Sequence, residues 1–331
     1  MSSPSNEDDA MSAKVWLKTT TPSKMIHLAT TMFRSVSANR IQECNICLDL
    51  ISSRLDASHS ELIKQEALWP QLNCLMLTIT TFKNLSTFKF LTTEVAHISE
   101  SFLARIISQL FNLNTIVLCG YNIGHVTEKL GHTSDLGTAL VSRLSLKNLD
   151  IRYLKSFNTD WINLEWRCHL HELTIEPIIL STNSLFPERN LLEFCHIFHQ
   201  SLIVLNLATS EFNYQQETVT LAQDFNHLRH LTFHGSHRFI NVFSMCPRLE
   251  SLTWLNGSPR LTEEVKGIWA SLKIIRIPRD YFEEHDMKRD SSFPISRFEV
   301  KIIHCTLSLG IKDAWTDLNS WFNYKPPLAV V

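Results

Sequence analysis

Leu228-Arg229-His230-Leu231-Thr232-Phe233, followed by Leu249-Glu250-Ser251-Leu252-Thr253-Trp254 and Leu272-Lys273-Ile274-Ile275-Arg276-Ile277, decides how this chain is read. Each stretch carries apolar residues at its first, fourth and sixth positions. The same pattern starts upstream at Leu72, Leu113, Leu146, Leu170 and Leu202, with leucine first every time. One match means little in a chain that is 44% hydrophobic and holds 45 leucines. The spacing means more. Leu202 to Leu228, Leu228 to Leu249 and Leu249 to Leu272 each fall within the ~20–29 residues of a short strand-plus-helix repeat. A bulky or apolar residue stands three before the first leucine at Trp69, Leu110, Phe225, Cys246 and Trp269. The longer upstream spacings leave room for insertions and for a further copy at Leu85-Ser86-Thr87-Phe88-Lys89-Phe90.

The segments between the motifs predict amphipathic helices. Ser99 to Leu110 aligns Phe102, Leu103, Ile106, Ile107 and Leu110 on one face. Asp135 to Leu144 offers Leu136, Leu140 and Leu144. Asn190 to Phe198 and Arg238 to Cys246 carry similar stripes. Thr262 before Glu263 and Glu264 suits a helix start. A unit of this size cannot bury its apolar face alone, so neighbours must stack. The expected fold is therefore an α/β leucine-rich repeat solenoid of about eight irregular repeats over residues 71–305. Residues 1–20 are expected to be a disordered acidic tail and 21–70 a helical cap. In that cap Met25 to Val36 forms one helix, and Ile41, Cys44, Leu48, Ile51 and Leu55 form the stripe of another. Phe298, Val300 and Ile302 alternate as a strand. A C-terminal cap over 306–331 places Trp315, Leu318, Trp321 and Phe322 on a helix.

Composition excludes several classes of function. Lys+Arg total 31 against 33 Asp+Glu, so bulk charge does not favour nucleic acid or an anionic membrane. Only eight glycines occur, and neither G-x-G-x-x-G nor G-x-x-x-x-G-K-[ST] is present. G-x-S-x-G, H-E-x-x-H and the kinase motifs are also missing. The chain is read as a non-enzyme, with no catalytic, cofactor-binding or metal-binding residue assigned. No run of ~18 apolar residues suggests a membrane span. The start is polar and acidic rather than basic and then apolar, unlike a secretory signal. Eight scattered cysteines suit reduced thiols in the cytoplasm or nucleus. Cys44-x-x-Cys47 lacks two further ligands at zinc spacing. His227, His230, His234 and His237 have no convergent carboxylate or cysteine and read as a polar surface.

Positions three, five and seven of each motif should face away from the core. In the first two repeats these are Cys74, Met76, Thr78, Thr115, Val117 and Cys119, mostly apolar or small. Further along they become polar and charged. The expected partner-binding set is Asn148, Asp150, Arg152, Glu172, Thr174, Glu176, Asn206, His230, Thr232, His234, Thr253 and Arg276. Leu255 continues the face in its repeat. A curved solenoid gathers such positions on its concave side. Arg152→Glu and His234→Glu are expected to weaken partner binding with the fold intact.

The uneven repeats, with helices such as Phe102–Leu110 running straight into a strand, resemble the leucine-rich-repeat region of fungal F-box-type proteins. The stretch Cys246-Pro247-Arg248-Leu249-Glu250-Ser251-Leu252-Thr253-Trp254 is the piece most like that family, and the resemblance covers roughly residues 70–305. It implies a protein-recognition module, and within that class a substrate-recognition subunit of an SCF-type ubiquitin ligase. An Skp-type linker and a cullin are the partners so implied; nucleic acid and membrane are not. Two departures accompany the resemblance. Position nine, where regular repeats carry a ladder of Asn or Cys, holds Thr80, Tyr121, Leu154, Ile178, Ser210, Ser236, Gly257 and Asp280. Residues 1–65 contain no Leu-Pro pair to open an F-box; Thr21-Pro22 is the nearest feature. A repeat scaffold unconnected to ubiquitin, and an α/β enzyme whose site no motif reveals, stay open as alternatives.

Overall fold

The computed structural model describes residues 13–19, 27, 31, 36–48, 73–92, 98–120, 134–154, 157, 159–176, 188–208, 225–234, 243, 246–256, 271–278 and 299–303. Strands β1 (Ala13–Thr19), β2 (Ile41–Leu48), β3 (Thr87–Thr92), β4 (Thr115–Cys119), β5 (Asn148–Arg152) and β6 (Glu172–Glu176) lead the array. They are followed by β7 (Val204–Ala208), β8 (His230–His234), β9 (Ser251–Asn256), β10 (Ile274–Pro278) and β11 (Glu299–Ile303). Helices α1 (Glu100–Gln109), α2 (Asp135–Val141) and α3 (Glu188–His196) lie between strands, and residues 73–79 are also helical. The strands form one eleven-stranded sheet in chain order. Every neighbouring pair is parallel. Parallel neighbours require a crossover that returns the chain to the same end of the sheet. α1 lies on the crossover from β3 to β4, α2 on that from β4 to β5, and α3 on that from β6 to β7. The fold is α/β, and its strictly sequential order is compatible with a solenoid.

The motif leucines build the core. Leu113, Leu146, Leu170, Leu202, Leu228 and Leu249 are fully buried. So are the fourth-position residues Ile116, Leu173, Leu205 and Leu252. The sixth positions Leu118, Ile151, Ile175, Leu207 and Phe233 close the same layer. α1 adds Phe102, Leu103, Ile106 and Ile107 from the opposite side, as its stripe predicts. α2 adds Leu136 and Leu140, but Leu144 lies beyond the helix and is 68% exposed. Each fully buried aliphatic side chain contributes about 1.5–3 kcal/mol, so stacking rather than helix propensity holds the array together.

A hydrogen-bonded spine fixes the register. The carbonyl at motif position two accepts two backbone N–H groups from the next repeat. Asn114 accepts from Lys147 and Asn148, at 2.8 and 2.9 Å, and Lys147 from His171 and Glu172, at 2.7 and 3.1 Å. His171, Ile203, Arg229 and Glu250 repeat the pattern down to Lys273 and Ile274. Further cross-repeat bonds are made by the polar residue just before five of the motifs. Asn84 Nδ2 donates to the Asn39 carbonyl, and Asn112 Nδ2 to that of Lys83. The Ser145, Ser201 and Ser271 hydroxyls donate to the carbonyls of Leu113, Leu170 and Leu249, at 2.8, 2.8 and 2.9 Å.

Three local devices seat the helices. Ser134 caps α2, accepting from the Gly137 N–H at 3.0 Å. Glu100 of α1 also accepts from the Leu136 N–H at 2.7 Å and from the Ser134 hydroxyl. Burial, aided by Asp135, pushes its carboxyl above the usual range despite the hydrogen bonds from Ser134 and Leu136. Trp161 is fully buried and stacks edge-on against Phe157, with ring centroids 5.1 Å apart. Phe194 of α3 joins the same group, 5.3 Å from Phe157. At Gly137 of α2 a Cβ would stand 2.7 Å from Leu164 Cδ1 and 3.1 Å from Trp161 Nε1, so only glycine fits without displacement.

The amino-terminal third departs from expectation. Residues 73–79, inside the expected first motif, are helical. Their turns bury Leu75, Thr78 and Ile79, while Leu77 is 60% exposed. The strand is β3, which belongs to the copy at Leu85; Leu85, Phe88 and Phe90 are buried. Ile41, Cys44 and Leu48 do not lie on a helix but on β2. Ile41-Gln42-Glu43-Cys44-Asn45-Ile46 is itself the repeat motif with isoleucine first, and its spacing of three between Ile41 and Cys44 mimics a helical stripe. Residues 13–19 of the expected tail are β1, paired parallel with β2. Of the first cap helix, His27 and Thr31 are described and helical, with the Thr31 hydroxyl on the His27 carbonyl at 2.8 Å. Ile51, Leu55, the 262–269 helix, nearly all of the 238–246 stretch and the 306–331 cap lie outside the described residues.

Candidate functional site

Motif positions three, five and seven line up across the sheet in three rows on the side opposite the buried leucines. The first runs Glu43, Thr87, Thr115, Asn148, Glu172, Val204, His230, Ser251, Ile274. The second runs Asn45, Lys89, Val117, Asp150, Thr174, Asn206, Thr232, Thr253, Arg276. The third runs Cys47, Leu91, Cys119, Arg152, Glu176. The structure therefore brings together the residues that spacing assigned to one face. His234 stands opposite Ala208 and Asn256, because a register shift after Phe233 displaces Leu255 from the row it was expected to join.

This face is not uniformly open. Over β2 to β4 Asn45, Cys47, Leu91, Val117 and Cys119 are buried, while Glu43, Thr87, Lys89 and Thr115 are half-buried. Val117 and Cys119 keep the expected orientation without the expected exposure. They sit mid-sheet between neighbouring side chains, and the Arg152 guanidinium is close enough to act on the Cys119 thiol. Burial pushes that thiol up to about 12 even against this cation. Cys74, Met76 and Thr78 lie on the 73–79 helix rather than on the face. From β5 onward the face is partly accessible. Asn148, Asp150, Arg152, Glu172, Glu176, Asn206, Thr232, Thr253 and Arg276 are half-buried, and His230 is exposed. Thr174 is buried, since the Asn206 amide crosses it to donate to its hydroxyl at 3.0 Å. The side chain of His234 lies outside the described residues.

Two charged clusters shape the face. On β1 to β3, Glu43 receives Lys14 at 2.8 Å and Lys89 at 3.2 Å, and accepts from Asn45 Nδ2 at 3.1 Å. Burial works against its charge, but Lys14, Asn45 and Lys89 outweigh it and hold the carboxyl below the usual range. On β5 and β6, Arg152 binds Asp150 through two bonds, Nε and Nη2 each 2.8 Å from a carboxylate oxygen. Burial opposes the guanidinium charge, yet Asp150 and Glu176 raise its pKa above the ordinary value. Tyr153, in the left-handed region at φ 58°, donates its backbone N–H to the Glu176 carbonyl at 2.7 Å and its hydroxyl to the Glu176 carboxylate. Arg152 is thus not the free surface charge that spacing implied. It is a pinned structural element, so Arg152→Glu is not neutral to the fold. Further along, Arg276 donates to the buried Ser251 hydroxyl.

The Tyr153 contact had no sequence signal, because it depends on strands brought together by the fold. The Arg152–Asp150 pair did have one, since alternation puts two opposite charges two residues apart on the same face of β5. Among the described residues, no group of three His, Cys, Asp or Glu side chains is arranged to hold a metal ion. No described helix is long and apolar enough to cross a membrane. No protein-family model matches the chain, and no curated protein is significantly similar to it.

Proposed function

We propose that the chain is a leucine-rich-repeat recognition module that binds a protein partner across the outward face of β5 to β10. The observation that carries this reading is the register. Six consecutive strands align their third- and fifth-position side chains in two rows that are mostly polar or charged and partly accessible, interrupted by the apolar Val204 and Ile274 and the buried Thr174 and Ser251. Half-buried side chains held by neighbours lose little freedom on binding, which favours affinity. Thr232 and Thr253 stand side by side at the middle of the open region and suit hydrogen bonding to a partner. The ubiquitin-ligase role implied by the resemblance would use this same face for substrate. In that role an Skp-type linker would have to be held elsewhere, since β2 takes Ile41–Leu48 into the sheet.

Quantitative capture from cells tests the reading. Thr232→Arg and Thr253→Arg should each deplete the proteins captured by the wild-type chain, with thermal melting unchanged. Unaltered capture by both variants contradicts the assignment. Linker and cullin among the captured proteins would support the ligase role. Their absence would leave a recognition scaffold.

A further inference from the structure

The strand-entry edge of the sheet carries a row in which three cations, Lys147, Arg229 and Lys273, alternate with Asn114, His171, Ile203 and Glu250, and which the outward face does not use. The spine builds it. Asn114, Lys147, His171, Ile203, Arg229, Glu250 and Lys273 follow one another, one per repeat, because each carbonyl binds the next pair of N–H groups. Neighbouring strands stand ~4.8 Å apart, which places Lys147 and Arg229 about 14 Å apart along the row and Arg229 and Lys273 about 10 Å apart. Arg248, just before the next motif, adds a second guanidinium, with Nη1 3.5 Å from His227 Nδ1.

Lys147, Arg229, Arg248 and Lys273 are all exposed. Lys273 is partly neutralised by Glu250 at 3.4 Å. Among the described residues, Lys147, Arg229 and Arg248 make no ion pair. A chain with a formal net charge of −2 thus carries four cations and one carboxylate, Glu250, along this edge, while Asp150, Glu172 and Glu176 sit further along the strands. Charge segregated in this way steers a ligand of opposite sign.

We propose that this edge binds an acidic, extended peptide segment of a partner protein, laid across the strands. The strip is at most two residues wide, the spine residues and those two before them, Arg248 and His227. Glu172 follows His171 directly, so a broad polyanion such as duplex nucleic acid would meet carboxylates where it spreads onto the face. An extended peptide has no such breadth. Its same-side side chains recur every ~6.8 Å, within reach of long lysine and arginine side chains on rungs ~4.8 Å apart. His171 and His227 between the cations offer hydrogen bonds to carboxylates. The edge is separate from the outward face, so its binding stands or falls independently of recognition through that face.

Fluorescence anisotropy with labelled decaglutamate tests the proposal. The expected result is saturable binding that weakens with salt. Replacing Lys147, Arg229 and Arg248 together by serine should weaken it about ten-fold, with the melting temperature unchanged. Arg105→Ser removes the same charge from the exposed side of α1, and should bind as wild type, whereas Arg229→Ser should not. No binding at low salt overturns the proposal. So does equal weakening by Arg105→Ser and Arg229→Ser, which would mark a bulk-charge effect. Tighter binding of a ten-residue oligodeoxythymidine than of decaglutamate would also overturn it and assign the edge to nucleic acid.

Discussion

Arg152 and Asp150 show how much a single pair can hold. Their two charge-assisted bonds sit with side chains only 30% and 14% exposed, beside a second carboxylate at Glu176. Arg152→Ala leaves both acids without their cation and is expected to destabilise the fold by about 2 kcal/mol. Urea unfolding of the variant measures it, and an unchanged midpoint would show that the pair is ornamental. Glu43 gives the pH dependence of the amino-terminal strands. A carboxyl whose folded pKa is lowered contributes stability above its ordinary value of 4.5 and loses it as pH falls through the folded value. The gap in melting temperature between wild type and Glu43→Gln should therefore be open at neutral pH and narrow as the pH falls below 4.5. A gap that persists in acid would contradict the role given to Lys14 and Lys89. The cysteines divide by burial. Cys44 and Cys119 are pushed up to about 12 and Cys168 to about 11, all chiefly by burial. Among the described cysteines only Cys74 is partly exposed. At pH 8, mass-spectrometric mapping of iodoacetamide labelling should find Cys74 modified before the other described cysteines, the buried thiols reacting only after unfolding.

At the scale of elements, α2 and the side-chain bonds before five of the motifs make separate claims. Gly137→Ala would gain about 1 kcal/mol of helix propensity in isolation. Here the new methyl meets Trp161, which is fixed by its aromatic neighbours, so a net loss of about 1 kcal/mol is expected from overpacking. Thermal melting that rises instead would mean the Trp161 cluster yields easily. Ser201→Ala removes the hydroxyl that ties β7 back to the Leu170 carbonyl and should cost about 1 kcal/mol by the same measurement. The elements also show where sequence reading works. From Leu113 to Leu272, spacing assigns every motif strand, and the first, fourth and sixth positions described are buried. Upstream it fails in two ways with one cause. A spacing of three between apolar residues belongs both to the repeat motif and to a helix stripe. Leu72–Leu77 fits the motif yet is mostly helix, and Ile41–Cys44 fits a stripe yet is strand. Local periodicity does not separate them; pairing with β3, many residues away in sequence, does.

For the whole molecule, the sequential parallel sheet means that each repeat's stability is shared mainly with its neighbours. The outward rows were legible because alternation along a strand is local. Their accessibility was not, because the burial of Asn45, Cys47, Leu91, Val117 and Cys119 and the crossing of Thr174 by Asn206 depend on what lies across the sheet. The candidate face accordingly shrinks to β5–β10, with Thr232 and Thr253 near its centre. The most direct test is site-specific photo-crosslinking in cells, with a benzoylphenylalanine placed at Thr232 on the face or at Thr138 on the exposed side of α2. A discrete crosslinked partner from position 232 and none from position 138 is the predicted result. The reverse pattern, or no partner from either position, would contradict recognition through this face.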